Sequence, residues 1–268
     1  MPDFGIIMEK ITKAQVKLVK SLQQKKFRDE LGLFVAEGEK CVEELRKSFE
    51  LVHLYREGEN ASRTEIEQMS GLRTPQGVIG VFKKSEYSEY SDYSEYSGLI
   101  LALDGIQDPG NLGTIIRTCD WFGVHDIVCS LDTADCYNPK VVQATMGALA
   151  RVRVHYVDLP KWLKELKIQK SKLKIFGTLL DGRDMYDVLQ SEGRSCSDSG
   201  LTGEAGLTAK RSIVVMGNEG NGISQAVRSL VTHPIRIPSY PKNAETSESL
   251  NVSIATAIVL AEFRRLGN

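Results

Sequence analysis

Residues 99–123 read L-I-L-A-L-D-G-I-Q-D-P-G-N-L-G-T-I-I-R-T-C-D-W-F-G, and the fold turns on this stretch. Leu99–Leu103 is an uninterrupted apolar run of strand length. Asp108, Pro109 and Gly110 supply turn chemistry, and from Leu112 the apolar residues return at helical spacing. A strand therefore feeds a helix through a tight loop. Loops at the carboxyl ends of strands in α/β sheets face the crevice where ligands bind, which makes this junction the first place to look for chemistry. Arg117 interrupts the otherwise apolar helix.

The same alternation continues outward. Apolar runs predict strands at Leu99–Leu103, Asp126–Ser130, Arg153–Val157, Lys174–Leu180, Ser212–Met216 and Ile235–Pro238. Helical patterns fall at Leu112–Phe122, Lys140–Leu149, Lys161–Leu166, Ser224–Leu230 and Leu250–Arg265. Apolar strands separated by helices imply a parallel sheet covered on both faces, and the usual connection rules lead to an unknotted, doubly wound topology.

Toward the amino terminus, residues 9–26 predict one amphipathic helix with Ile11, Ala14, Leu18 and Leu22 on one face and Lys10, Lys13, Lys17 and Lys20 on the other. Lys25, Lys26 and Arg28 extend the positive charge. Such a face is either simply solvated or contacts nucleic-acid phosphates, which give affinity without base specificity. A strand (Leu33–Ala36), helix (Glu39–Lys47), strand (Leu51–Tyr55), short helix (Thr64–Met69) and strand (Val78–Phe82) follow, a small α/β layer. Residues 85–97, S-E-Y-S-E-Y-S-D-Y-S-E-Y-S, contain no aliphatic side chain and cannot build a core, so they predict a solvated linker. The expected division is thus a basic domain 1–84, a linker 85–97 and a larger domain 98–268, with residues 191–210 a polar insertion between a helix and a strand.

Composition narrows the classes. Among 268 residues, 41% are hydrophobic and 26% charged, and the formal net charge of −1 means that any nucleic-acid partner must be met by locally clustered basic residues. No apolar stretch suits a membrane span and the start lacks a signal-peptide core, so a cytosolic protein is expected. The five cysteines form no C-x-x-C pair, which points to neither a zinc site nor a disulfide framework.

Three clusters carry possible chemistry. In the first, Asn111 reads either as a helix cap or as a site residue, and Arg117 either as a structural ion-pair partner or as a functional cation. The second, V-M-G-N-E-G-N-G-I-S at 215–224, is a glycine-rich loop that admits close backbone approach. It matches neither the dinucleotide nor the P-loop pattern, and Glu219 would repel a phosphate. The third is I-R-I-P-S at 235–239 followed by S-L-N-V-S-I-A-T-A at 249–257, where Ser249 reads as a cap and Asn251 as a first-turn residue of a tightly packed helix.

Jointly, N-L-G-T-I-I-R-T-C-D-W-F-G (111–123), M-G-N-E-G-N-G-I-S (216–224) and I-P with S-L-N-V-S-I-A-T-A (237–257) resemble the SpoU (TrmH-like) RNA ribose 2′-O-methyltransferases of the SPOUT class. The first domain resembles the substrate-binding domain that many members carry. One departure is a longer segment between Ile237 and Ser249. The resemblance implies a deep trefoil knot in the C-terminal domain, against the connection rule, and an S-adenosylmethionine pocket there, with Gly217, Ile237 and Leu250 contacting the cofactor through backbone groups and Thr178 near its adenine. It implies Arg117, Asn111, Glu219, Ser249 and Asn251 as the catalytic set, with Glu219 fixing Arg117 or Asn111. It further implies RNA binding at the lysines above and Arg28, no metal, and a homodimer packed through the knot region. Ribosomal RNA is the expected substrate. Transfer RNA, or a non-catalytic assembly factor on the same fold, are the alternatives.

Overall fold

The computed structural model describes residues 11–85, 98–170, 173–197, 212–241 and 249–267. Lys10, the repeat from 86 to 97, residues 198–210 of the polar insertion with residue 211 after it, and residues 242–248 of the lengthened loop lie outside them. The elements run α1 (Lys13–Ser21), α2 (Lys25–Leu31), β1 (Leu33–Glu37), α3 (Glu39–Leu45), β2 (Leu51–Arg56), α4 (Arg63–Met69) and β3 (Val78–Lys83). They continue with β4 (Leu99–Asp104), α5 (Pro109–Trp121), β5 (Asp126–Ser130), α6 (Pro139–Thr145), β6 (Arg153–Val157) and α7 (Leu159–Gln169). The last are β7 (Lys174–Asp184), α8 (Met185–Ser197), β8 (Ser212–Gly217), α9 (Gln225–Arg228), β9 (His233–Arg236) and α10 (Val252–Gly267).

The chain divides into two compact units, and the division is finer than a cut at the linker. Asp135–Arg151, which holds α6 and lies between β5 and β6, belongs with the first unit.

That first unit is an antiparallel sheet of order β1-β3-β2 with helices against it. Its amino-terminal helix is two helices. Thr12 starts α1 with a reciprocal capping box to Gln15, and the chain turns extended at Gln24 before α2 begins. No glycine or proline announces the break; it lets Leu22 on one side and Arg28 on the other both reach the interior. Arg28 is 2% exposed, with Nη1 donating to the carbonyls of Leu22 and Gln23 (2.9 and 3.0 Å) and Nε and Nη2 donating to Asp135 (3.1 and 2.7 Å). It is therefore not part of the basic surface, which corrects its expected place among the phosphate-contacting residues. Tyr137 packs tilted against Phe34 with ring centroids 4.7 Å apart, so Asp135 ties the inserted segment to α2 and Tyr137 seats it on β1. The predicted helix over Lys140–Leu149 ends at Thr145, because Met146 and Gly147 both take left-handed backbone conformations.

The second unit is a parallel sheet of order β6-β5-β4-β8-β7-β9. Central strand β4 is buried along its whole length, as a strand covered on both faces must be. On one face Ile100, Ala102, Ile175 and Val215 pack with Trp162 and Leu163 of α7. On the other, Phe263 of α10 meets Phe176 edge to face at 5.0 Å. Strand β7 runs eleven residues, past the expected end at Leu180, and Ile235 of β9 pairs with both Thr178 and Arg183. The intervening residues bend round β9. Gly182 is required there, since a Cβ would lie 2.5 Å from the Ile235 carbonyl carbon. Helix α8 was not among the predicted helices, although Met185, Val188 and Leu189 recur at i, i+3 and i+4 and are all buried.

Candidate active site

The strand order reverses between β4 and β8: the chain moves outward from β4 to β5 and β6, then returns to build β7, β8 and β9 on the other side. The carboxyl ends of β4 and β8 therefore diverge into the loops where such sheets bind ligands. Both predicted loops sit there, Gly105–Asp108 after β4 and Asn218–Ser224 after β8.

These loops are held by specific bonds. Asp104, the buried last residue of β4, accepts a hydrogen bond from the Ser224 backbone N–H at 2.7 Å. Asn218 donates through Nδ2 to the Gly105 carbonyl at 2.7 Å, and its Oδ1 accepts from the N–H groups of Gly220 (2.9 Å) and Asn221 (3.0 Å). Asn218 and Gly222 exchange backbone hydrogen bonds of 2.9 Å, closing the turn with Gly222 at φ +66°. Gly217 must be glycine, because a Cβ would lie 2.3 Å from the backbone of Gly222 and Ile223.

From this turn Glu219 reaches across to Asn111. Asn111 Nδ2 donates to Glu219 Oε1 at 3.0 Å, and Asn251 Nδ2 donates to Asn111 Oδ1 at 2.9 Å. The polarity of this chain follows from backbone chemistry. Asn251 Oδ1 accepts from Ser253 N–H (3.0 Å) and Oγ (2.6 Å), and an N–H can only donate, so the Asn251 amide nitrogen must face Asn111. Asn111 must then turn its oxygen to Asn251 and its nitrogen to the carboxylate. Neither asparagine reading based on position alone survives unchanged. Asp108, not Asn111, caps α5, accepting from Asn111 N–H at 2.7 Å, while Asn251 rather than Ser249 caps the start of α10.

Arg117 lies on α5 two turns from its start, exposed and without a hydrogen-bond or ion-pair partner among the described residues. Glu219 thus fixes Asn111, one of its two expected partners, and not Arg117. Residues 98–261 match the SpoU rRNA methylase family and residues 13–59 match the MRM3-like substrate-binding domain. The chain belongs to the SpoU rRNA methylase family.

Similar proteins cover all or part of the chain. The 23S rRNA (guanosine(2553)-2′-O)-methyltransferase RlmP of Bacillus subtilis is 29% identical over 96% of this chain and 98% of its own. The 23S rRNA (guanosine-2′-O-)-methyltransferase RlmB of Neisseria meningitidis is 34% identical over 62% of this chain and 58% of its own. Among solved structures, a TrmH-family protein of Porphyromonas gingivalis superposes with a TM-score of 0.79 at 32% identity, covering 95% of this chain and 98% of that one. The AdoMet-bound rRNA methyltransferase of Sinorhizobium meliloti superposes with a TM-score of 0.76 at 28% identity, covering 96% of each.

In this SpoU member three of the residues predicted for the cofactor lie on or just past the adjacent strands β7, β8 and β9. Thr178 donates to the Val215 carbonyl (3.2 Å), one position past the last register pair of β7 with β8, Gly217 ends β8, and Ile237 follows β9. Leu250, 50% exposed, precedes Asn251. The backbone groups of Ile237 and Leu250 lie past the strand ladders, beside apolar side chains, and such groups match a purine's flat faces and its donor and acceptor edge, so these residues fit the expected cofactor. Sequence reasoning missed Asp104 and Asn218. Asn218 carried a signal, an asparagine amid glycines, which favours side-chain-closed turns. In the first unit Lys13, Lys17, Lys20, Lys25 and Lys26 are exposed as expected, with Lys25 paired to Asp29 at 2.6 Å. Among the described residues there is no metal-binding group and no helix long and apolar enough to cross a membrane.

Proposed function

We propose that this protein methylates a ribose 2′-hydroxyl of ribosomal RNA with S-adenosylmethionine as donor. The observation that carries the reading is the hydrogen-bonded chain Asn251–Asn111–Glu219, which joins the start of α5 to two segments 108 and 140 residues further along the chain, at the strand-order reversal. The relatives named for 23S rRNA guanosines support a large-subunit RNA substrate.

When bound, S-adenosylmethionine supplies a methyl group on a positively charged sulfur; Thr178, Gly217, Ile237 and Leu250 hold it. Arg117 grips a phosphate of the target nucleotide and stabilises negative charge on the 2′-oxygen. Its guanidinium stays protonated and cannot serve as a base, so the proton leaves the 2′-oxygen for a phosphate or water. Asn111, oriented from both ends, positions the ribose, with Ser249 and Asn251 forming the rest of the wall. The exposed lysines of α1 and α2 contact RNA phosphates.

The reading includes a C-terminal trefoil knot, a cytosolic location and a homodimer. The double pairing of Ile235 supports the first, and the exposed Trp121 and Ile254 on the packed pair α5 and α10 support the last. Incubation with labelled methyl donor and total RNA, followed by ribose-methylation maps from cells with and without the gene, tests it. A lost 2′-O-methyl site in ribosomal RNA is expected. Loss confined to transfer RNA would move the substrate, and no loss with no donor binding would make this an assembly factor.

A further inference from the structure

We infer that Asn218 is a positioning residue for the reaction, setting Glu219 and through it Asn111; the inference rests on the methyltransferase reading. Glu219 sits at the tip of a turn whose two sides are tied to the same strand end. Asp104 takes the Ser224 N–H at one side, and the Gly105 carbonyl takes Asn218 Nδ2 at the other. The two anchors differ in what they control. Asp104 fixes where the turn leaves toward α9, five residues past its tip.

The side chain of Asn218 is bonded both to the β4 loop and to the backbone just after Glu219. Its Nδ2 meets Gly105, the first residue after β4, and its Oδ1 meets the N–H groups of Gly220 and Asn221 immediately after the glutamate. The Asn218 side chain thus joins the backbone that follows Glu219, through Oδ1, to the loop that leaves β4, through Nδ2. Gly105 is itself braced: its N–H donates to Ser130 Oγ at 2.8 Å, Ser130 Oγ donates to Asp132 at 2.6 Å, and Gly105 holds φ +73°. The reference point for Glu219 is therefore Gly105 at the end of β4, braced in turn by Ser130 at the end of β5. Glycines on both sides of the turn give it no stiffness of its own, so the side chain of Asn218 supplies it.

The test compares Asn218→Asp, Asn218→Ala, Glu219→Gln and the double variant Asn218→Ala/Glu219→Gln in the full-length protein. Asn218→Asp keeps the acceptor for Gly220 and Asn221 and loses the donor to Gly105. Misplacement by about 1 Å costs roughly 100-fold in rate, so kcat is expected to fall roughly 10- to 100-fold in both Asn218 variants while the Kd for S-adenosylmethionine stays within about threefold. The double variant is expected to be no slower than Glu219→Gln alone, because residues acting as one unit are not additive. Losses that multiply, or Asn218→Asp with the wild-type kcat, would overturn the inference.

A second readout needs no RNA. The side-chain amide proton resonance of Asn111, assigned through its loss in Asn111→Asp, is expected to move in Asn218→Asp as its bond to Glu219 loosens. An unmoved resonance would overturn the positioning role whatever the substrate, whereas a moved resonance in a protein with no methyl transfer would fault only the methyltransferase reading.

Discussion

Arg28 in the first unit and Arg117 in the second meet opposite fates. Arg28 is enclosed, and its guanidinium is bonded to two carbonyls and to Asp135. Arg117 stands exposed on a helix with none of its donors met by a described residue. A cation whose donors are saturated by its own fold holds structure together. One whose donors meet no described residue leaves them to solvent or, in the proposed reaction, to the RNA. The same contrast separates the two units: the first spends its charges on itself and shows lysines to solvent, and the second orders Asn111, Glu219 and Asn251 tightly while leaving Arg117 open.

Mutation can break this contrast, and the largest effect belongs to Arg28. Arg28→Ala leaves the Asp135 carboxylate, nearly buried, without its counter-ion, and such losses cost about 3–5 kcal/mol. Chemical denaturation followed in the first unit should show it, and a change under about 1 kcal/mol would mean the pair is not structural. Arg117→Ala should leave stability within about 0.5 kcal/mol, as surface substitutions do. It should lower methyl transfer roughly 10²- to 10³-fold, the cost of removing one charge-stabilising donor, with donor affinity near normal. Unimpaired turnover would remove Arg117 from the mechanism.

A middle case sharpens the contrast. Asp126 in the second unit is bonded by Arg153 (2.8 and 2.7 Å) and His155 (3.0 Å). Burial works against its charge, but these bonds outweigh it and hold its carboxyl below the ordinary value. A lowered folded-state value means that the stabilisation is fully present above the ordinary carboxylate range and is lost as pH falls through the lowered one. Asp126→Asn should cost about 2 kcal/mol at neutral pH and flatten the acid limb of the stability profile, read by thermal melts from pH 7 down to about pH 3. The smallest effect belongs to the lysines. Lys17→Ala should weaken RNA binding a few-fold and reduce the salt slope by about 0.7–0.9, with no change in stability. An unchanged slope would make that face merely solvated.

What could be seen in the sequence follows from range. Strand β4, its loop and α5 were legible because each is decided within a few residues by apolar period and turn chemistry. The link from Glu219 to Asn111 was legible as one of two options, because the motif places both residues in one site. Arg28 was not: its partner Asp135 lies 107 residues away, and until that carboxylate is in view a lysine-rich neighbourhood makes the arginine look like one more surface charge. The break between α1 and α2 was hidden for a similar reason, since burial of Leu22 and Arg28 on different sides, not a glycine or proline, causes it. The length of β7 escaped because its second half pairs with Ile235 by wrapping, which leaves no alternating pattern.

The inserted segment Asp135–Arg151 has a practical meaning for anyone wishing to take the protein apart. Cleavage within the repeat that joins residues 85 and 98 would sever one covalent path and leave two, at 134–135 and at 151–152. The halves would stay tethered after proteolysis. A recombinant fragment starting at residue 98 would carry Asp135 and Tyr137 away from Arg28 and Phe34, stranding a carboxylate and an aromatic ring that the missing piece was built to receive.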